Sequence, residues 1–402
     1  MRELLVSSQP IRLAAVVSHP IQYMVPLFQR LAQRPSEVDL TVFYLSDVGL
    51  RPAHAEQLGE TFVWDMNLLE GYRSVFLRNV SPHPGAERPS AKINPGIVPA
   101  LLRGDYDALY LHGYASTTEW IAFATARTLR LPILFHGDVV LDSHKQRPSW
   151  LRSRFRREFC KRIDAGLAMS GRAREFYRAF DVPDSHVFWA PLAVDNERWL
   201  READALLPER EALRRSIGLD PHLPTILHVS QLRPIKRPMD LLEAYARLAT
   251  PANLLIVGGG PLLEALQERS RVLALPRVHF AGPQNLSTLG RYYAMGDVFV
   301  LPSEHEVNPL VIREAMCFGL PIIASDRVQS AIDFIEEGRS GFTFPMGDVV
   351  ALADRIDQII KSPERTRELG TRAREIILPW NYDVTVAGIL SALSRVTRKA
   401  TA

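Results

Sequence analysis

Cysteine is scarce: Cys160 and Cys317 are the only two in 402 residues, and they lie far apart in the chain. That excludes a disulfide framework and a cysteine-rich zinc cluster, and it suits a reducing, cytoplasmic setting. Long apolar runs are missing too. No stretch reaches membrane-spanning length, and the opening MRELLVSSQPIRL lacks the hydrophobic segment of a signal peptide. Charge is nearly balanced, and a formal net +3 is too small to argue for nucleic acid. Two phosphate-binding fingerprints are also absent. LIVGGGPLLEAL supplies Gly258, Gly259 and Gly260, but Leu263 stands where G-x-G-x-x-G needs its last glycine, and no Walker lysine motif follows any strand. The triplet Asp105-Tyr106-Asp107 resembles a metal-binding D-x-D, yet it follows Gly104, a helix stop, and precedes a strand, so it reads as structural. No metal site is expected.

What is present is a globular composition, 47% hydrophobic and 23% charged, with length enough for two domains. Short apolar runs alternate with helical segments in both halves: 12–18, 39–45, 107–113, 132–137 and 165–170, then 225–230, 253–260, 277–282, 297–303 and 320–326. This is the pattern of α/β domains with parallel sheets. The region 49–104, rich in proline and glycine, predicts long loops. The joint falls near PLAVDNERW, giving domains of 1–195 and 196–378 and a terminal helix, 379–402, after a Pro-Trp break.

One βαβ unit carries chemistry. In SEHEVNPLVIREAMCFGLPIIASD, Asn308 reads as an N-cap and Pro309 as the first helical residue, with Val311, Ala315 and Phe318 facing a core. The amides of Leu310 and Val311 open a helix at a strand's carboxyl end, where an anion such as phosphate is favoured. Glu306 and Glu314, eight positions apart, would repel that phosphate unless they bind something uncharged attached to it; sugar hydroxyls fit.

These residues carry a resemblance. HVSQLRPIKRPMDLLEA (228–244), LLIVGGGPLLEAL (254–266), VHFAGPQNLSTLGRYYAMGDVFVLPS (278–303) and EVNPLVIREAMCFGLPII (306–323) resemble, in order and spacing, the donor-binding half of the family 4 retaining glycosyltransferases. The first half resembles the family more loosely through SHPIQYMVPLFQRLA, PILFHGD and AMSGRAREFYRAFDVPDSHVFWAPLAVD. The likeness implies the GT-B fold, two Rossmann-like domains facing a central cleft, the second binding the donor, the first the acceptor, with the terminal helix packing back on the first. It also implies transfer of a sugar, with retention, from a nucleotide-diphosphate sugar to a hydroxyl, through a front-face displacement that needs neither metal nor cofactor. By family frequency the donor is a uridine diphosphate sugar. Glu306 would hold the donor sugar's hydroxyls, Glu314 the ribose, and Lys236 the departing diphosphate, with Gly260 beside the nucleotide. His136 would reach the sugar.

Two departures stand out. Gln231 replaces an arginine common in the family, and Arg233 or an arginine from elsewhere would supply the missing charge. After the first strand, His19 and Gln22 replace a glycine pair and become acceptor-side candidates with His112 and Asp138. The acceptor itself stays open between a glycan, a lipid-linked and a small-molecule hydroxyl. RPSWLRSRFRREFCKRID (147–164) interleaves seven basic residues with aromatics, which suits either a peripheral contact with the inner face of a membrane or a solvated basic surface. A nucleotide-sugar epimerase or hydrolase of the same fold, or a non-catalytic basic binding protein, are the other readings.

Overall fold

The computed structural model describes residues 9–50, 53–55, 60–62, 65–84, 88–141 and 150–400. The strands are β1 (Ile11–Val17), β2 (Val38–Tyr44), β3 (Ala53–Ala55), β4 (Glu60–Phe62), β5 (Arg73–Phe76), β6 (Ala108–Leu111), β7 (Ile133–Phe135), β8 (Ala165–Ala168), β9 (Val187–Trp189), β10 (Thr225–Val229), β11 (Asn253–Val257), β12 (Val278–Phe280), β13 (Val298–Leu301), β14 (Ile322–Ser325) and β15 (Gly341–Phe344). They form two parallel sheets, ordered β5-β2-β1-β6-β7-β8-β9 and β12-β11-β10-β13-β14-β15, and an antiparallel hairpin β3-β4. Sequences such as LAAVV, ILHV and LLIV do not alternate with polar residues, because helices cover both faces of each sheet.

The chain divides into two compact units, residues 1–51, 66–192 and 382–402 in unit 1, residues 52–65 and 193–381 in unit 2. Pro52–Asp65, which the sequence keeps with the first domain, groups with unit 2. The helix Tyr382–Ala400 belongs to unit 1, where the Tyr382 hydroxyl donates to the Tyr23 carbonyl at 2.7 Å and Thr385 Oγ1 to the Pro191 carbonyl at 2.7 Å. The stretch Pro363–Thr397 contains an 18-residue window of mean hydropathy 1.3, apolar and long enough by that measure to cross a membrane, contrary to the expectation from the sequence. Half of the window is buried within the protein, and Val386, Ile389 and Leu393 are the core-facing stripe of a packed helix.

Each sheet has one place where strand order reverses, between β1 and β6 in unit 1 and between β10 and β13 in unit 2. Loops leaving the carboxyl ends of such a strand pair open a crevice where α/β sheets hold ligands. His19, Gln22, His112, Gln231, Arg233, Lys236, Glu306 and Asn308 lie in those loops, whereas His136 and Asp138 follow β7, Gly260 follows β11, and Leu310, Val311 and Glu314 stand on the helix Leu310–Cys317.

Candidate functional site

Unit 2 assembles its site from the loops after β10 and β13. Val229 leads through Ser230 and Gln231 to a single 3-10 turn, Pro234–Lys236, and Arg237 then takes a left-handed conformation at φ 49° before the helix Pro238–Tyr245. Arg237 pairs with Asp240, so this strained residue serves the turn and leaves Lys236 to project. Lys236 Nζ forms an ion pair with Glu306 Oε1, both side chains largely buried, and Ser303 Oγ donates to the same carboxylate oxygen at 3.4 Å. Residues 70 positions apart thus meet at the switch point. Arg233 is half-buried and has no ion-pair partner among the described residues; Gln231 is also half-buried.

The glycine run explains itself by close approach. A Cβ on Gly258 would lie 1.8 Å from the Ser230 carbonyl oxygen, and one on Gly260 would lie 2.7 Å from that of Leu232, both at positive φ. Leu232 N donates to the Gly259 carbonyl at 2.8 Å, and Leu262 N to the Leu232 carbonyl at 3.0 Å. The two loops interlock through backbone, which fixes Gly260 beside the Gln231 loop.

The helix after Glu306 departs from the sequence expectation. It spans Leu310–Cys317, and Pro309, extended at ψ 119°, is itself the cap residue, with no side chain capping the first turn. Asn308 is therefore not the cap; its Oδ1 accepts from Arg313 Nη2 at 3.3 Å, while Arg313 Nη1 donates to the Pro309 carbonyl at 3.2 Å. Arg313 is fully buried, with its guanidinium 4.7 Å from the Phe334 ring centroid and 5.7 Å from that of Trp380. It braces the turn that presents Leu310 and Val311. Val311, expected in the core, is half-buried, whereas Glu314 is 6% exposed. Its Oε2 accepts from the Tyr293 hydroxyl at 2.6 Å. Burial raises the Glu314 carboxyl to about 7, against the opposing pull of that hydroxyl and of the Arg198 and Arg313 charges.

In unit 1, His136 follows β7 and is 1% exposed. Its Nε2 lies 2.9 Å from the Ala190 carbonyl, so that nitrogen carries the proton and Nδ1 accepts from the Tyr110 hydroxyl at 2.5 Å. Burial, with a smaller contribution from His112, lowers its pKa to about 3, so the ring is neutral. Both ring nitrogens of His136, expected to reach a sugar, are engaged inside the fold. His19, after β1, meets Ser18 Oγ at 2.9 Å through Nδ1, and burial, then the charge of Lys92, lowers it to about 4. His112, after β6, is lowered to about 4, chiefly by burial. Its Nε2 and the Oε1 of Gln22 are buried without hydrogen-bond partners. Asp138 is exposed on the loop after β7. Asp105 and Asp107 both serve Arg12, one by an ion pair at 3.5 Å and the other by accepting its backbone N–H at 2.8 Å, which is a structural role.

Tyr293, Arg313 and Lys92 carry no signal in the sequence, since each matters only through a partner distant in the chain or through a buried environment. Among the described residues no group of three or more His, Cys, Asp or Glu is placed to hold a metal ion. Within the basic segment, Arg147 lies outside the described residues, as do the side chains of Leu151 and Arg152.

Residues 209–376 match the family model of the glycosyl transferases group 1. The match lies within unit 2. The chain is 34% identical over 168 residues to N-acetyl-alpha-D-glucosaminyl L-malate synthase of Bacillus anthracis, covering 41% of this chain and 43% of that protein. D-inositol 3-phosphate glycosyltransferase 2 of Catenulispora acidiphila is 29% identical over 236 residues, 56% of this chain and 54% of that one. The chain thus spans about half the length of these curated relatives. Over 96% of its own length it superimposes on all of Anabaena HepE in complex with UDP and glucose, with a TM-score of 0.71 at 18% identity, a likeness of fold. The two parallel sheets with flanking helices are those of the GT-B glycosyltransferases.

Proposed function

We propose that this chain is a retaining glycosyltransferase that moves a sugar from a nucleotide-diphosphate sugar to an acceptor hydroxyl. The observation that carries the reading is the Lys236–Glu306 pair at the unit 2 switch point, one turn before a helix that buries Glu314. Lys236 and Arg233 take the diphosphate, Arg233 standing in for the arginine absent at Gln231. Glu306 accepts from hydroxyls of the donor sugar and Glu314 from those of the ribose. The bond from anomeric carbon to diphosphate breaks, the bond to the acceptor oxygen forms on the same face, and the acceptor proton passes to the departing phosphate oxygen. Lys236 stabilises charge that grows on that oxygen, as a preorganised cation does in a site shielded from water.

The HepE structure holds UDP, which supports a uridine diphosphate sugar as the first donor to test. Lys236, Arg233 and the uncapped amides of Leu310 and Val311 supply the neutralising groups, so the mechanism needs no metal or cofactor. The acceptor side lies in unit 1, at His19, Gln22 and His112. Trp150 and Phe155, 69% and 50% exposed on the basic helix Trp150–Cys160, support a peripheral membrane contact from the cytoplasmic side. The test is calorimetry with nucleoside diphosphates and nucleotide sugars, followed by NMR of the product's anomeric configuration. An inverted product, or no nucleotide affinity, sinks the reading.

A further inference from the structure

The switch point of unit 1 holds polar groups for which the fold itself has no use. Gln22 Oε1 and His112 Nε2 are buried and unpartnered. Such atoms are costly to leave unpaired, and they stand on loops after β1 and β6, the two strands that flank the reversal of order. A third group joins them. The Lys92 ammonium is close enough to His19 and Glu119 for its charge to act on both, yet among the described residues no carboxylate lies within ion-pair distance of it. Glu119 is committed elsewhere: its Oε2 accepts from Ser116 N at 2.7 Å in the capping box of the helix Thr117–Thr128, and it is 3% exposed.

Lys92 is not a loose surface lysine. Its carbonyl accepts from Thr118 Oγ1 at 2.9 Å and from Thr118 N at 3.2 Å. On either side, Asn79 Nδ2 donates to the Ala91 carbonyl at 2.8 Å, and Ile93 N to Asn79 Oδ1 at 3.0 Å. The backbone beneath the cation is therefore clamped to neighbouring elements, the kind of support that prepares a binding group before its ligand arrives. His19, which feels its charge, and His112 at the end of β6, which feels His19, are neutral near pH 7, so they supply hydrogen bonds and no compensating charge. A neutral polyol would satisfy Gln22 and His112 but would leave this half-buried ammonium without a counter-charge.

We propose that Lys92 binds an anionic group, a carboxylate or phosphate, on the hydroxyl-bearing acceptor, while Gln22 Oε1 and His112 Nε2 take its hydroxyls. The proposal rests on the glycosyltransferase reading above, and it makes Lys92 a specificity residue for the acceptor. The group comes either from a small soluble acceptor or from a lipid headgroup.

The test uses the full chain saturated with nucleoside diphosphate, so that the donor site is closed to phosphate. Inorganic phosphate, glycerol 3-phosphate and glycerol are titrated by calorimetry, and phosphatidylglycerol vesicles by co-sedimentation, against wild type, Lys92→Gln and Lys92→Arg. Lys92→Gln is expected to weaken the anionic probes by roughly ten- to a hundredfold, the worth of one charge-assisted bond, while leaving glycerol and the nucleotide unchanged and being rescued in part by Lys92→Arg. Response to the soluble probes assigns a small acceptor, and response to vesicles alone assigns a headgroup. If no anionic probe binds, or if Lys92→Gln binds them as wild type does, the inference falls. Should Lys92→Gln fail to fold, judged by circular dichroism, Gln22→Leu and His112→Phe are expected to weaken glycerol 3-phosphate more than phosphate, and equal affinities overturn the assignment. Failure of wild type to bind any nucleoside diphosphate is a separate result, which removes the glycosyltransferase reading and not the anion site.

Discussion

The two switch points share a topology and differ in how their polar groups are satisfied. In unit 2 a lysine and a glutamate neutralise each other across the β10 and β13 loops, and a second glutamate is bonded to Tyr293 beneath a helix. In unit 1 the corresponding loops after β1 and β6 carry neutral histidines and an unpartnered glutamine oxygen, and Lys92, ahead of the helix Ile97–Arg103, has no ion-pair partner among the described residues. A closed ion pair can exchange partners when a charged ligand enters, because each member already has a rigid place and a measurable energy of its own. Unpaired groups instead wait for a ligand to complete them. The difference teaches that a parallel sheet fixes where a ligand goes, while the loop residues decide what kind of ligand it is.

The comparison breaks most sharply at Lys236. Lys236→Ala removes the cation from the unit 2 pair and is expected to lower kcat by about two to three orders of magnitude, with a smaller change in donor KM, since the lysine acts on charge that develops as the diphosphate leaves. Steady-state kinetics over donor concentration measure this, and normal turnover at saturation would contradict the role. The glutamates are expected to separate. Glu314→Ala weakens the bare nucleoside diphosphate by roughly ten- to a hundredfold through lost ribose bonds. Glu306→Gln keeps that affinity and loses transfer and discrimination between donor sugars. Titration of both variants with nucleotide and with intact donor distinguishes them; equal losses for the two ligands in Glu306→Gln remove the sugar contact.

A smaller effect follows from the burial of Glu314. Its folded pKa is raised from 4.5 to about 7, so between those values the folded protein retains a proton that the unfolded chain has released. Stability therefore declines as pH rises across that window and levels off above it, by at most about 3 kcal/mol. Glu314→Gln abolishes the slope. Urea unfolding at pH 5, 6, 7 and 8 should show the variant gaining on wild type at each step up to 7, and parallel profiles would place the carboxyl in a wetter setting. The smallest effect belongs to His136, whose place in the unit 1 core predicts that His136→Leu loses about 1 to 3 kcal/mol of stability by stranding the Ala190 carbonyl and the Tyr110 hydroxyl, without altering nucleotide binding. A change in donor affinity with unaltered stability would restore a ligand role for the ring.

Much of this architecture is legible in the sequence, for a local reason. Central parallel strands are buried on both faces, so VFVL, LLIV and IIAS appear as uninterrupted apolar runs. Besides the β3-β4 hairpin, the strands that the sequence does not announce, β5, β9 and β15, are all edges of the parallel sheets; β5 and β9 are short and partly exposed, and their sequences RSVF and VFW resemble loop. The Glu306 and Glu314 spacing around a proline likewise reads directly, because it lies within one βαβ unit. By itself, then, the sequence determines two α/β domains, the carboxylate pair and the lysine that belongs with it. Tertiary structure alone decides that Lys236 closes on Glu306, that Tyr293 and Arg313 brace the helix between and behind the glutamates, that His136 is sealed into a core and that Lys92 acts on His19 with no ion-pair partner among the described residues. The physical reason is that hydrogen bonding, ion pairing and desolvation depend on distances of a few ångströms between residues tens of positions apart, and local periodicity carries no information about which of them the fold brings together.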